Sequence, residues 1–95
     1  MSRRTLHYTG ACQHFMQNLL AQGRTDTAWA IKSHLLELCE FGQQFVQLEK
    51  KGDTPNLFLS PCNAAPADEV TVGFTLEVLI LEKGVIVVSI EEHLK

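Results

Sequence analysis

The chain has 95 residues, 45% of them hydrophobic and 20% charged, with eight Lys and Arg against eleven Asp and Glu for a net charge of −3. That is the make-up of one globular domain, residues 1–95, able to bury a modest core. It excludes a disordered, collagen-like, disulfide-scaffold or multi-domain chain. The cations are dispersed, whereas a nucleic-acid partner calls for a basic patch.

Residues 5–8, Thr-Leu-His-Tyr, are a candidate short strand ahead of Gly10. From 11 to 22 the apolar positions Cys12, Phe15, Met16, Leu19 and Leu20 recur at the spacing of one helical face. Thr9 is the candidate N-cap and Gly23 the left-handed stop. After Arg24, Thr25 or Asp26 caps a second helix, with Asp26 favourable to the dipole. Its apolar stripe is Ala28, Ile31, Leu35, Leu38 and Phe45, with Gly42 in the intervening slot. Trp29, Leu36, Cys39, Val46 and Leu48 widen that stripe, which places Trp29 in the core. A polar row of Ser33, Glu37, Glu40, Gln44, Gln47 and Lys51 carries the predicted helix to Lys51, with Gly52 as its stop.

Asn56–Leu59, between Pro55 and Pro61, reads as a brief edge strand, and residues 60–68 as a loop. Val70–Leu81 then reads as a strand, Glu82-Lys83-Gly84 as a tight turn and Val85–Ile90 as its antiparallel partner. Phe74, Leu76, Val78 and Ile80 share one face, while Leu79 and Leu81 make the other apolar as well; Glu91, Glu92 and His93 read as a solvated tail. The predicted fold class is α+β, a two-helix hairpin packed on a small antiparallel sheet of about three strands with a C-terminal β-hairpin. Two helices cover one face of such a sheet, so a partner chain is the simplest cover for the second.

Three cysteines without a CxxC fit a reducing cytoplasm, no apolar run follows Arg3 and Arg4 as in a signal peptide, and Phe74–Ile90 is too interrupted to span a membrane. Cys12 and His14 point about 200° apart on a helix and His34 and Cys39 share no face, so no metal site is expected. Cys12 and Cys39 read as small core residues. Cys62 reads as an exposed loop thiol with only acidic charges near it in sequence, which raise a thiol pKa. Glu37 and Glu40 lie on a solvated helix face. Glu77, inside an apolar strand, either faces outward or meets a partner cation. No nucleophile elbow, phosphate loop or His-Glu-x-x-His occurs, so neither catalytic residues nor cofactors are expected.

The stretch His34-Leu35-Leu36-Glu37-Leu38-Cys39-Glu40-Phe41-Gly42 ahead of apolar strands resembles the small ribonuclease toxins of the RelE/HigB class, as does the order strand, two helices, antiparallel sheet. The resemblance implies a protein acting on RNA. Those toxins carry cations on the sheet, whereas this chain has Lys83 at the turn and Glu77 where a cation would stand, so no functional residue carries over. The reading that leads is a non-enzymatic protein-interaction module. It would self-associate as a homo-oligomer, or inhibit a protein partner, through Glu77, Leu79, Leu81, Val85, Val87 and Val88. A small-molecule enzyme with an intersubunit pocket is the further alternative.

Overall fold

A computed structural model describes residues 3–45 and 48–95. The chain runs β1 (Thr5–Tyr8), α1 (Gly10–Ala21), α2 (Thr25–Phe41), a single 3₁₀ turn (Gly42–Gln44), β2 (Glu49–Lys50), β3 (Leu57–Asn63), β4 (Thr71–Ile80) and β5 (Gly84–Leu94). The strands form one mixed sheet in the order β1-β5-β4-β3-β2. The α+β class holds, but the sheet has five strands instead of about three. β1 adds to it in parallel beside β5, and the remaining pairs are antiparallel.

α1 follows its predicted span. Gly23, at φ 75°, ends it as an αL residue, with its N–H on the Leu20 carbonyl and the Arg24 N–H on the Leu19 carbonyl. Thr9 precedes the helix in extended backbone without capping it; its hydroxyl donates instead to the Val88 carbonyl. α2 begins at Thr25 after Arg24, with no side-chain cap and with Asp26 in its first turn.

α2 does not reach Lys51. It stops at Phe41, where Gly42 takes φ 58°, ψ −134°, a conformation that only glycine adopts without strain. The Arg4 guanidinium lies where a Gly42 side chain would start: a Cβ there would be 2.5 Å from Arg4 Nη1. Val46 and Gln47, which the spacing assigns to the helix, lie outside the described residues.

β3 is longer than the predicted edge strand and takes in Pro61 and Cys62 from the expected loop. Pro61 is tolerated because β2 pairs only with Phe58 and Leu59, so nothing beyond Pro61 requires its missing N–H. β5 runs on to Leu94, so the expected C-terminal tail is strand.

The core lies between the helix pair and one face of the sheet. Ile31, Leu35 and Leu38 of α2 and Cys12 and Leu19 of α1 meet Phe74, Leu76, Val78 and Ile80 of β4 and Val85 and Val87 of β5. Phe15 packs edge-on against Phe74. At about 1.5–3 kcal/mol for each fully buried aliphatic side chain, this layer is the fold's main source of stability.

Candidate interaction face

The register of the strands sorts their side chains. On β3, β4 and β1 the even positions point to the helices: Phe58, Ser60 and Cys62; Phe74, Leu76, Val78 and Ile80; Leu6 and Tyr8. The odd positions of these strands point away, except at the start of β4, where a register shift between Thr71 and Gly73 turns Thr71 inward and leaves Val72 exposed. β5 keeps step until a bulge opposite Glu77 and Val78 inserts Val88, after which Ser89 pairs with Glu77.

The outward residues form rows across the sheet. One row is His7–Ile86–Leu79–Leu57 and the next is Ser89–Glu77–Leu59–Glu49. Leu57, Leu59, Leu79, Ile86 and Val88 are partly exposed, and none of them packs on the buried cluster. Among the described residues, no helix covers this face.

Glu77 is its central charge. Its carboxylate accepts from Lys51 Nζ at 2.7 Å and from Ser89 Oγ at 2.9 Å. Those two bonds hold its pKa below the usual carboxylate range against the opposing effect of partial burial. Thr75 and His93 Nε2 bond one another at 2.7 Å a short way along the face.

Four of the six residues expected at a partner surface lie on or beside the uncovered face. Glu77 and Leu79 lie in the central rows, Val88 at the bulge and Leu81 beside the hairpin turn, exposed. Val85 and Val87 do not: both are fully buried under the helices. The alternation of β5 hid this, because its two faces are almost equally apolar. A charged residue at Val87 would disrupt the core instead of testing a surface.

Three further expectations are corrected. Trp29 is not in the core but 61% exposed, about 100° around α2 from the buried Ala28–Ile31–Leu35 stripe. Cys62 is not an exposed loop thiol: β3 turns it beneath α2, with Sγ 3.9 Å from the Ala30 carbonyl, and burial pushes its pKa up to about 11. Glu92 is not a solvated residue, since its carboxylate accepts from Arg24 Nη2 at 3.1 Å and also from the Thr71 hydroxyl.

That contact belongs to a polar cluster with no sequence signature. Arg24 donates Nε and Nη2 to Asp68 Oδ2, which also accepts from the Thr27 hydroxyl, while Asp68 Oδ1 accepts the backbone N–H groups of Val70 and Thr71. Burial alone would raise the Asp68 pKa, but these donors together hold it far below the usual range. A second buried pair joins His34 Nε2 to Ser60 Oγ at 2.6 Å, with Phe45 edge-on to the imidazole. Ser60 is fully buried, so this is an internal hydrogen bond and not a presented nucleophile.

Among the described residues, no His, Cys, Asp and Glu group is placed to hold a metal ion, and no helix is long and apolar enough to cross a membrane. Compared with known protein families, with characterised proteins and with solved structures, the chain matches none.

Proposed function

We propose that the chain is a non-enzymatic protein-interaction module that binds a second copy of itself through the uncovered sheet face. The observation that carries this is the aliphatic cluster of Leu57, Leu79 and Ile86 in one row, with Leu59 and Val88 beside it, on a face that the chain's own helices leave open.

Charge and size both favour a second copy as occupant. An isologous interface lays one patch against itself, so a patch of single-signed charge would repel itself. Here Lys51 and Glu77 neutralise one another at the centre, and the remaining carboxylates, Glu49 on β2 and Glu91 near the end of β5, are exposed toward the rim, where interfaces keep their charges in solvent. Four strands at about 4.8 Å and four rows at about 6.7 Å span on the order of 500 Å² in projection, before side-chain relief. A specific interface uses about 600–1,000 Å² per partner, so the whole face reaches the lower end of that range once side-chain relief is added.

Edge-to-edge addition is the weaker route. The stretch of β5 beyond its pairing with β1 carries Glu91 and Glu92, and the outer part of β3 carries Pro61; both are devices that blunt sheet edges. The strand–helix–helix–sheet order behind the toxin resemblance is present. The face, however, offers Lys51, already paired, against Glu49, Glu77 and Glu91, which favours a protein partner over a phosphate backbone. Burial beneath α2 holds the Cys62 thiol protonated, which speaks against a thiol nucleophile at that position. Three buried free thiols fit a cytoplasmic setting.

The test is absolute mass by light scattering over a dilution series. The wild-type chain should run at twice the chain mass, and Leu79→Arg should run at the chain mass with an unchanged circular dichroism spectrum. A wild-type monomer at every concentration up to the solubility limit would overturn the proposal.

A further inference from the structure

The helical layer, on the opposite side of the molecule from the uncovered sheet face, has its own depression. Between α1 and α2 lies a groove of about 400 Å³ whose apolar lining is Tyr8, Met16, Leu20, Ala28 and Trp29. That volume is within the range of small-molecule sites, roughly 300–1,000 Å³. Leu20 is 55% exposed on one side of the groove and Trp29 is 61% exposed on the other. An indole left this open on a helix is a rigid apolar wall available to a ligand.

The polar side of the groove is equally specific. Its lining includes Gln13, Gln17, Thr25 and Lys32, and Lys32 is the one charged residue among the lining residues. Lys32 is three residues beyond Trp29, so the ammonium and the indole share a face of α2. Among the described residues, no carboxylate pairs with Lys32 and no hydrogen bond engages the Tyr8 hydroxyl. An apolar trough with a single free cation at its side is complementary to an apolar body with one anionic head.

We propose that the α1–α2 groove binds a single-chain carboxylate amphiphile, its hydrocarbon lying along Met16, Leu20 and Trp29 and its carboxylate on Lys32. The site is independent of the sheet face and does not require self-association. A ligand of this class would exclude water from Trp29, and the carboxylate would gain a partner without displacing an existing salt bridge.

The chain's single tryptophan is the reporter. Decanoate, titrated below its micelle concentration, should shift Trp29 emission to the blue along a saturable curve. Decyltrimethylammonium, with a similar chain and the opposite head, should bind about fivefold more weakly, the upper end of what one partly exposed ion pair supplies. This preference runs against the protein's net charge of −3, which alone would attract the cation. Lys32→Glu should keep its circular dichroism spectrum and lose about fivefold in decanoate affinity. No saturable shift with decanoate would overturn the site; equal binding of both amphiphiles, or unchanged affinity in folded Lys32→Glu, would overturn the recognition of the carboxylate.

Discussion

Arg24, in the turn between the two helices, grips Asp68 Oδ2 with two nitrogens, at 3.1 Å from Nε and 2.6 Å from Nη2, across 44 residues of sequence. Nη2 also reaches Glu92 near the end of β5. One guanidinium thus ties the helix hairpin to the loop before β4 and to the last strand. Asp68 is nearly inaccessible, its side chain only 2% exposed, so its charge depends on these donors.

Arg24→Ala should therefore cost about 3–5 kcal/mol, the range for leaving a buried charge without its partner. Urea denaturation of the variant beside the wild type measures it, and a loss below 1 kcal/mol would count against the cluster as a tie. The pH dependence has a definite sign. The folded Asp68 pKa lies below the unfolded value of about 3.9, so its stabilisation is complete above that value and drains away as pH falls toward the folded pKa. Asp68→Asn should flatten the stability curve below about pH 4.

Gly42 and Arg4 lead to a second prediction. Gly42→Ala meets both a strained φ of 58° and the Arg4 guanidinium, and should destabilise the fold by about 1–3 kcal/mol. Adding Arg4→Ala should recover the steric part and leave the backbone part. A double-mutant cycle in urea separates the two, and strict additivity would show that the guanidinium does not press on this position.

The His34–Ser60 hydrogen bond bears on behaviour near neutral pH. Burial lowers the His34 pKa, with Glu37 opposing, so the unfolded chain binds a proton at higher pH than the folded one. This group's contribution is complete above the unfolded pKa of about 6.5 and is lost as pH drops from there to the folded value. The imidazole resonances of His34 should titrate below pH 6.5. Ser60→Ala, which strands the ring nitrogen, should cost about 1–3 kcal/mol by thermal melting.

The cysteines predict a labelling pattern. Cys12, Cys39 and Cys62 are all buried, and the Cys62 thiol is pushed up to about 11. At neutral pH, iodoacetamide should modify the folded protein at none of the three and the urea-unfolded protein at all of them, as read by mass spectrometry. Rapid alkylation of Cys62 in the folded state would mean that β3 does not hold it beneath α2.

The two faces of the sheet can be told apart by paired truncations. Leu76, fully buried, should lose about 2–5 kcal/mol as Leu76→Ala. Leu79, on the uncovered face, should lose less than about 1 kcal/mol as Leu79→Ala when measured on the monomer. Chemical denaturation at low protein concentration reads both, and similar losses would contradict the assignment of faces.

By itself the sequence determined the local geometry. The three- and four-residue steps of Cys12–Leu20 and Ala28–Leu38 and the alternation of Phe74–Ile80 report which face of each element is apolar, because helix and strand periods are properties of the backbone alone. The hairpin was legible as well, although its connection is Leu81–Lys83 and Gly84, expected in the turn, opens β5 beside Thr5. The tertiary structure decided what covers those faces. Residues 5–8 became a full edge strand only by pairing with β5, and α2 ended at Gly42 under a residue 38 positions earlier. Both faces of the hairpin are apolar, so no periodicity could say that the helices would cover Val85 and Val87 and leave Leu79 and Ile86 open. The same holds for Glu92, which reads as a polar tail residue until the fold brings Arg24 to it. Periodicity is encoded within a few residues, whereas burial and ion pairing depend on groups that meet only when the chain closes.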